Sequence, residues 1–256
     1  MRKIVFAAIS TLILFSCRTP RYSYAPTRVN TPLFKEKKEI QLDGSISVLR
    51  GFDASAAYAI SSHVGLTLNA SWRNDKQEGS DGTGELLPPE LIQYSRRSVD
   101  FGVGYFTRIN PGNWHFEVFG GFGKGKFSIK DNGKIDSTSY SRYYDSKLDR
   151  IFIQPAIGFN GTTTQFIFFI RFQMQQYNDV QTDYSNHELE YYSIAPASRK
   201  FYPFIEPGIT FRYYIPSLPV GFESNLLFSA PSSGSITTIP VHFSIGIHGR
   251  FAGSSK

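Results

Sequence analysis

The stretch Ile239–Phe251 alternates strictly enough to limit what it can fold into. Ile239, Val241, Phe243, Ile245, Ile247 and Phe251 share one parity; Pro240, His242, Ser244, Gly246, His248 and Arg250 share the other. Successive side chains of a strand point to opposite faces, so this segment has one apolar face and one polar, crowded face. Such a strand needs neighbours, and from Glu39 onward the same period of two hardly stops. Ile40, Leu42, Ile46 and Val48 alternate with Gln41, Asp43, Ser45 and Ser47. Phe166, Phe168, Ile170, Phe172 and Met174 do the same against Gln165, Phe169, Arg171, Gln173 and Gln175.

Ten segments of this kind follow one another; the connections after the second, fourth, sixth and eighth are short, those after the third, fifth and seventh are long, and the first and last outer connections are shorter than the rule requires. Asn110-Pro111-Gly112-Asn113 and Asn160-Gly161 are strong short-turn signals. Residues 73–97, 130–149 and 178–200 read as long loops. In an up-and-down sheet this alternation sorts the long loops to one rim and the short turns to the other. The pattern predicts an all-β fold over residues 39–251: a closed antiparallel up-and-down transmembrane β-barrel of about ten strands. The expected arrangement has short periplasmic turns, long outer loops, and Ile40–Val48 closing the barrel against the last strand. Pro155 and Pro207 fall in mid-strand, where a bulge is expected at each.

Composition decides between a membrane barrel and a soluble one of lipocalin or sandwich type. The polar parity holds Gly, Ser, Gln, Asp, Arg and His, whereas Lys is nearly confined to loops and rim positions such as Lys124 and Lys126. Tyr58, Trp72, Tyr105, Trp114, Tyr213 and Phe251 sit near strand ends on the apolar parity, as aromatic girdles do. Both features favour the membrane. The formal charge of +6 is mild and scattered, which argues against a nucleic-acid partner.

The amino end adds an address. Arg2 and Lys3 precede an apolar run, Ile4–Phe15, too short to span a bilayer as a helix, and Leu14-Phe15-Ser16-Cys17 follows. Cys17 is the single cysteine, so a disulfide framework is excluded. These residues resemble the lipobox of bacterial lipoproteins, which implies a signal peptide over residues 1–16, cleavage before Cys17 and acylation of that residue. Residues 17–38, with three prolines and the basic run Lys35–Lys38, read as a lipidated periplasmic tether; residues 252–256 form a C-terminal tail.

The mature chain resembles the small outer-membrane β-barrel lipoproteins of Gram-negative bacteria. The likeness rests on the lipobox, on Tyr24–Glu39 with its Pro32-Leu33-Phe34, on the alternating staves and on the aromatic-ended last strand. It implies residence in the cell outer membrane, anchored by lipid at Cys17, with both termini periplasmic. It also implies the bilayer and the outer-membrane insertion machinery as partners. It names no cofactor and no chemistry.

Inward positions are the candidate site. Arg171, Glu206, Arg212, Glu223, Glu117, Arg108 and Arg250 are expected to form a lumen charge network, because buried charges are costly unless paired. Arg171 and Glu206 fall level on adjacent strands, with Arg212, Glu223 and Glu117 in a lower layer. The preferred reading is a non-enzymatic, lipid-anchored barrel whose lumen is largely filled by charge, presenting outer loops for binding or serving envelope structure. A glycan or protein ligand at the Tyr-rich loops (Tyr140, Tyr143, Tyr144, Tyr184, Tyr191 and Tyr192) is the possible partner. A narrow small-solute pore is the alternative, and an outer-membrane hydrolase the second. For a hydrolase, His242, Ser244 and His248 share a face, and His187 lies in a loop beside Glu188 and Glu190. No metal-ligand spacing, phosphate loop or dinucleotide fingerprint appears.

Overall fold

The computed structural model describes residues 21–47, 51–79, 90–109, 112–135, 138–194, 201–231 and 236–251. The expected signal peptide over residues 1–16, Cys17 and the tail 252–256 lie outside the described residues. Ten strands run up and down in chain order: β1 (Ile40–Ser47), β2 (Gly51–Ala59), β3 (Val64–Gly79), β4 (Glu90–Ile109), β5 (Trp114–Ile135), β6 (Thr138–Asn160), β7 (Thr164–Thr182), β8 (Phe201–Tyr214), β9 (Val220–Phe228) and β11 (Val241–Phe251). A two-residue strand, β10 (Ala230–Pro231), adds to the upper part of β8. Each strand pairs antiparallel with the next, and β11 closes the ring on β1 from Ile40↔Phe251 to Ser47↔Ser244. The barrel expected from the period of two is therefore the barrel observed.

The outward parity carries an apolar belt. Phe222 is 60 % exposed and Ile247 62 %, and the belt continues through Leu42, Phe101, Phe122, Ile151, Phe168, Ile170 and Phe243. An exposed band of this size and continuity on a closed barrel is the face such proteins turn to lipid.

Above that belt the polarity of the two faces inverts without a change of parity. On β5 the outward residues pass from Phe116, Val118 and Phe122 to Lys124, Lys126 and Lys130. The inward residues there become Phe127 and Ile129, which bury against Ile92, Tyr144, Leu148 and Tyr177 from the neighbouring strands. This inversion corrects the expected loops. Most of residues 73–97 and 130–149 continue β3–β6 as paired strands, and β4–β6 reach 20 to 23 residues. The expected third loop contains the end of β7 and a short helix, α1 (Asn186–Tyr191). These extensions are wet outside and apolar inside, the arrangement of a soluble sheet, so a lipid-facing pattern ends where the ladder does not. Neither Pro155 nor Pro207 shifts the register, so the expected bulges are absent there; each costs one ladder bond. The observed shift in β6–β7 lies between Asp145 and Lys147.

The largest departure from expectation is the amino-terminal stretch. Residues 21–34 are extended, as a tether would be, but they run through the barrel lumen with Tyr24, Val29, Leu33 and Phe34 fully buried. Arg21 sits at the long-loop rim beside Asp131 and Tyr192. The stretch descends once, and at the short-turn rim Lys38 N–H donates to Ala59 O at 2.7 Å before β1 begins. The described chain thus starts with Arg21 at the long-loop rim and finishes with Phe251 at the short-turn rim. The physical reason is charge and shape: a polar lumen needs filling, and this segment carries both the apolar side chains and the guanidinium to fill it.

Ile170 lies within the lipid-facing belt. Ile170→Arg is expected to destabilise the barrel in vesicles by about 2–4 kcal/mol in denaturant unfolding, and Lys126→Gln above the belt by no more than about 0.5 kcal/mol.

Candidate functional site

The lumen is built in layers around residues 21–34. At the short-turn end Phe34 packs with Ala57, Ala59, Phe106 and Phe119, its ring 5.1 Å from that of Phe106. Gly65 makes the room: a Cβ there would lie 2.5 Å from the Phe34 ring. Gly158 does the same for Leu33, where a Cβ would meet Leu33 Cδ2 at 2.8 Å. Leu33 itself has a φ of +50°, uncommon for a bulky residue, and Glu117 Oε2 holds it there by accepting its N–H at 2.7 Å.

The middle layer is ionic. Arg28 donates from Nε to Glu223 Oε1 at 2.5 Å and from Nη1 to Ser55 Oγ at 2.7 Å, with Nη2 3.2 Å from Asp43 Oδ1. On the wall, Arg212 Nε donates to the other oxygen of Glu223 at 2.7 Å, while its Nη1 donates to Thr31 O at 2.9 Å. His248 Nδ1 is hydrogen-bonded to Asp43. Asp43, Glu223 and His248 bring ligand-type atoms within 4.8 Å of one another. Two guanidinium groups already supply the positive charge there, so the cluster reads as an ion-pair network.

The upper layer turns on Tyr24. Its hydroxyl donates to Glu206 Oε1 at 2.6 Å and accepts from Gln173 Nε2, while Ser229 Oγ also donates to Glu206 at 3.0 Å. Arg150 Nη2 donates to Asp100 Oδ1 at 2.7 Å, and Arg96 lies over the Tyr24 ring at 4.7 Å. At the rim Arg21 donates to Asp131 at 2.9 and 2.6 Å and stacks 3.7 Å from the Tyr192 ring.

The expected site residues are brought together only in part, with Glu117 bound to Leu33 N–H. Arg212 and Glu223, expected together in a lower layer, pair directly. Arg171 and Glu206 also face each other in the β7–β8 register, but their hydrogen bonds run elsewhere: Arg171 to Gln154 Oε1, Glu206 to Tyr24 and Ser229. Arg108 is a correction. It is exposed at the short-turn rim and donates to Gly112 O at 2.9 Å, because its side chain follows the β4–β5 turn and not the lumen. Arg250 closes the lower end through Nε to Glu39 Oε1 at 3.0 Å. Tyr24, Arg28, Leu33 and Phe34 fall in the stretch expected as a tether, and no strand period marks them as lumen residues.

The triad ingredients are dispersed. His242 Nδ1 lies 2.9 Å from Arg73 Nη2, His248 is bound to Asp43, and Ser244 is buried opposite Asn225. All three are walled into the filled lumen. His187 is exposed on α1, stacked 6.2 Å from Tyr191. The helix is fixed by a capping box: Glu188 N–H donates to Ser185 Oγ at 3.2 Å, and Ser185 N–H donates to Glu188 Oε2 at 2.7 Å. Those Ser185 bonds hold the Glu188 carboxyl below its ordinary range. Of the loop tyrosines, Tyr144 and Tyr184 point inward, the latter donating to Asp131 at 2.9 Å, and Tyr143 and Tyr191 are exposed.

No family model and no curated protein matches this sequence. Among solved structures, the outer membrane protease OmpT of Escherichia coli is similar at 8 % identity and a TM-score of 0.47, over 84 % of this chain and 94 % of that one. The N-terminal β-barrel domain of Pseudomonas aeruginosa OprF is similar at 9 % identity and a TM-score of 0.31, over 85 % and 100 % of the two chains. Likeness at this level transfers no residue and no activity.

Removing one partner of a buried ion pair leaves the other charge stranded. Arg28→Ala is expected to cost about 3–5 kcal/mol in unfolding of the refolded barrel. Adding Glu223→Gln should cost less than the sum of the two single changes, which a double-mutant cycle measures.

Proposed function

We propose that this protein is a non-enzymatic, lipid-anchored barrel of the Gram-negative outer membrane, sealed along its axis and working through its long-loop rim. The observation that carries this reading is the occupied lumen: residues 21–34 fill it with buried aromatic, apolar and paired charged groups from rim to rim. Among the described residues such packing leaves only small voids, of about 10 Å³ beside Arg28 and about 30 Å³ beside Arg96, too small for a substrate. The belt of exposed aromatic and aliphatic side chains supports the bilayer as its surroundings, and the Phe251-ended last strand supports recognition by the insertion machinery.

What remains for encounter is the tall wall formed by β3–β7 and the helix α1 between β7 and β8. Exposed Tyr143, His187 and Tyr191 give this rim aromatic surface of the kind that stacks on glycans or protein side chains. The narrow pore is the second reading, favoured only by the charged character of the lumen wall. The hydrolase reading rests on His187 beside Glu188 and Glu190, all of which sit in a capped, solvated helix.

Planar-bilayer recording of the refolded full-length chain is expected to give a flat trace. Steady single-channel steps whose size changes in Arg171→Ala or Glu206→Ala would overturn the sealed barrel in favour of the pore.

A further inference from the structure

Residues 21–34 pass through the lumen once and in one direction, from Arg21 at the long-loop rim to Phe34 at the short-turn end. At the upper end the segment is tied to the long-loop side by several independent bonds. Arg21 is held by Asp131 and Tyr192, Ser23 N–H donates to Thr237 O at 3.0 Å, and Ile239 N–H donates to Tyr24 O at 3.0 Å. Asp131 also accepts from Tyr184, so this anchor is shared with the β7–β8 connection. At the lower end Lys35 N–H donates to Glu39 Oε2 at 2.8 Å and Ala59 N–H to Glu39 O at 3.0 Å, next to the β2–β3 turn.

Cys17 precedes Arg21 by four residues. Even fully extended, that length reaches only about 14 Å. The apolar band of an outer-membrane barrel is about 25 Å tall. Four residues therefore cannot reach back from Arg21 to the short-turn rim.

We infer that the protein is threaded through its own barrel and displays its amino end on the cell surface, with the acyl chains of Cys17 in the outer leaflet. This rests on the barrel orientation and the lipid anchor proposed above, with long loops outward. A threaded segment also sets an order of assembly. An acylated end cannot be drawn through a lumen packed with Phe34, Arg28 and Tyr24, so the wall must close around it. The seam that joins the first and last strands, β1 with β11, begins one residue after Glu39, where the segment leaves the lumen.

The test uses full-length chains in cells, each carrying one epitope: between Thr19 and Pro20, between residues 84 and 85, or in the β8–β9 turn after Ser217. Antibody labelling of intact cells is expected for the first two, and labelling of the third only after the outer membrane is permeabilised. Thr19→Cys, reacted with a membrane-impermeant maleimide on intact cells, gives the same readout with a smaller perturbation. An amino-end tag and a Thr19→Cys thiol hidden in intact cells while the 84/85 tag is labelled would overturn threading. A hidden 84/85 tag with an exposed β8–β9 tag would overturn the barrel orientation instead, and the outward display with it. Intact mass of the purified chain should show acyl additions that Cys17→Ser abolishes; an unmodified mass would overturn the lipid assignment.

Discussion

The buried guanidinium of Arg28 lies between Asp43 and Glu223, and the interior of this barrel is organised around that arrangement. A lone charge moved from water into a protein interior costs several kcal/mol even after relaxation, so each of these groups requires the others. Asp43 comes from β1, Glu223 from β9, and Arg28 from the threaded segment. Arg212 then binds the second oxygen of Glu223, and His248 binds Asp43, which links β8 and β11 into the same network. The wall and its filling are consequently one folding unit: neither has its charges satisfied without the other.

The threaded segment works by two different means along its length. At its middle it supplies a cation where the wall presents excess acid. At its lower end it supplies the rings and aliphatic groups of Leu33 and Phe34 where the wall presents glycine. Gly65 and Gly158 face inward at the positions those side chains occupy, so the wall is shaped for its occupant as a small-to-large complement. Above the bilayer the strategy changes again. The lumen there is a conventional hydrophobic core, with Phe127, Ile129, Tyr144 and Tyr177 inside and lysines outside.

That change explains what the sequence made legible and what it concealed. The period of two in segments such as Phe166–Met174 identifies the staves, their inward charges and the closing pair β1–β11, because alternation is the direct imprint of a two-faced strand. Counting from the turn places Arg171 level with Glu206, as the register has them, but does not foretell that their hydrogen bonds go to Gln154 and Tyr24. The extensions of β3–β6 were hidden because the solvated zone keeps the parity but exchanges the faces, and a reading tuned to apolar-outward residues stops at Lys124. The threaded segment was hidden for a different reason. A chain with no strand partner in the wall has no period, and its proline content reads as a linker. Its signal lies in the conjunction of Tyr24, Arg28, Leu33 and Phe34 with inward glycines on other strands, a relation visible only when the barrel is assembled.

Amide hydrogen exchange of residues 23–34 in the refolded barrel tests the central claim, that this segment is the core of the fold. Threading predicts protection of these amides comparable to that of β5 and β7, released only with global unfolding. Exchange at the rate of an unstructured peptide, with the strands still protected, would contradict it.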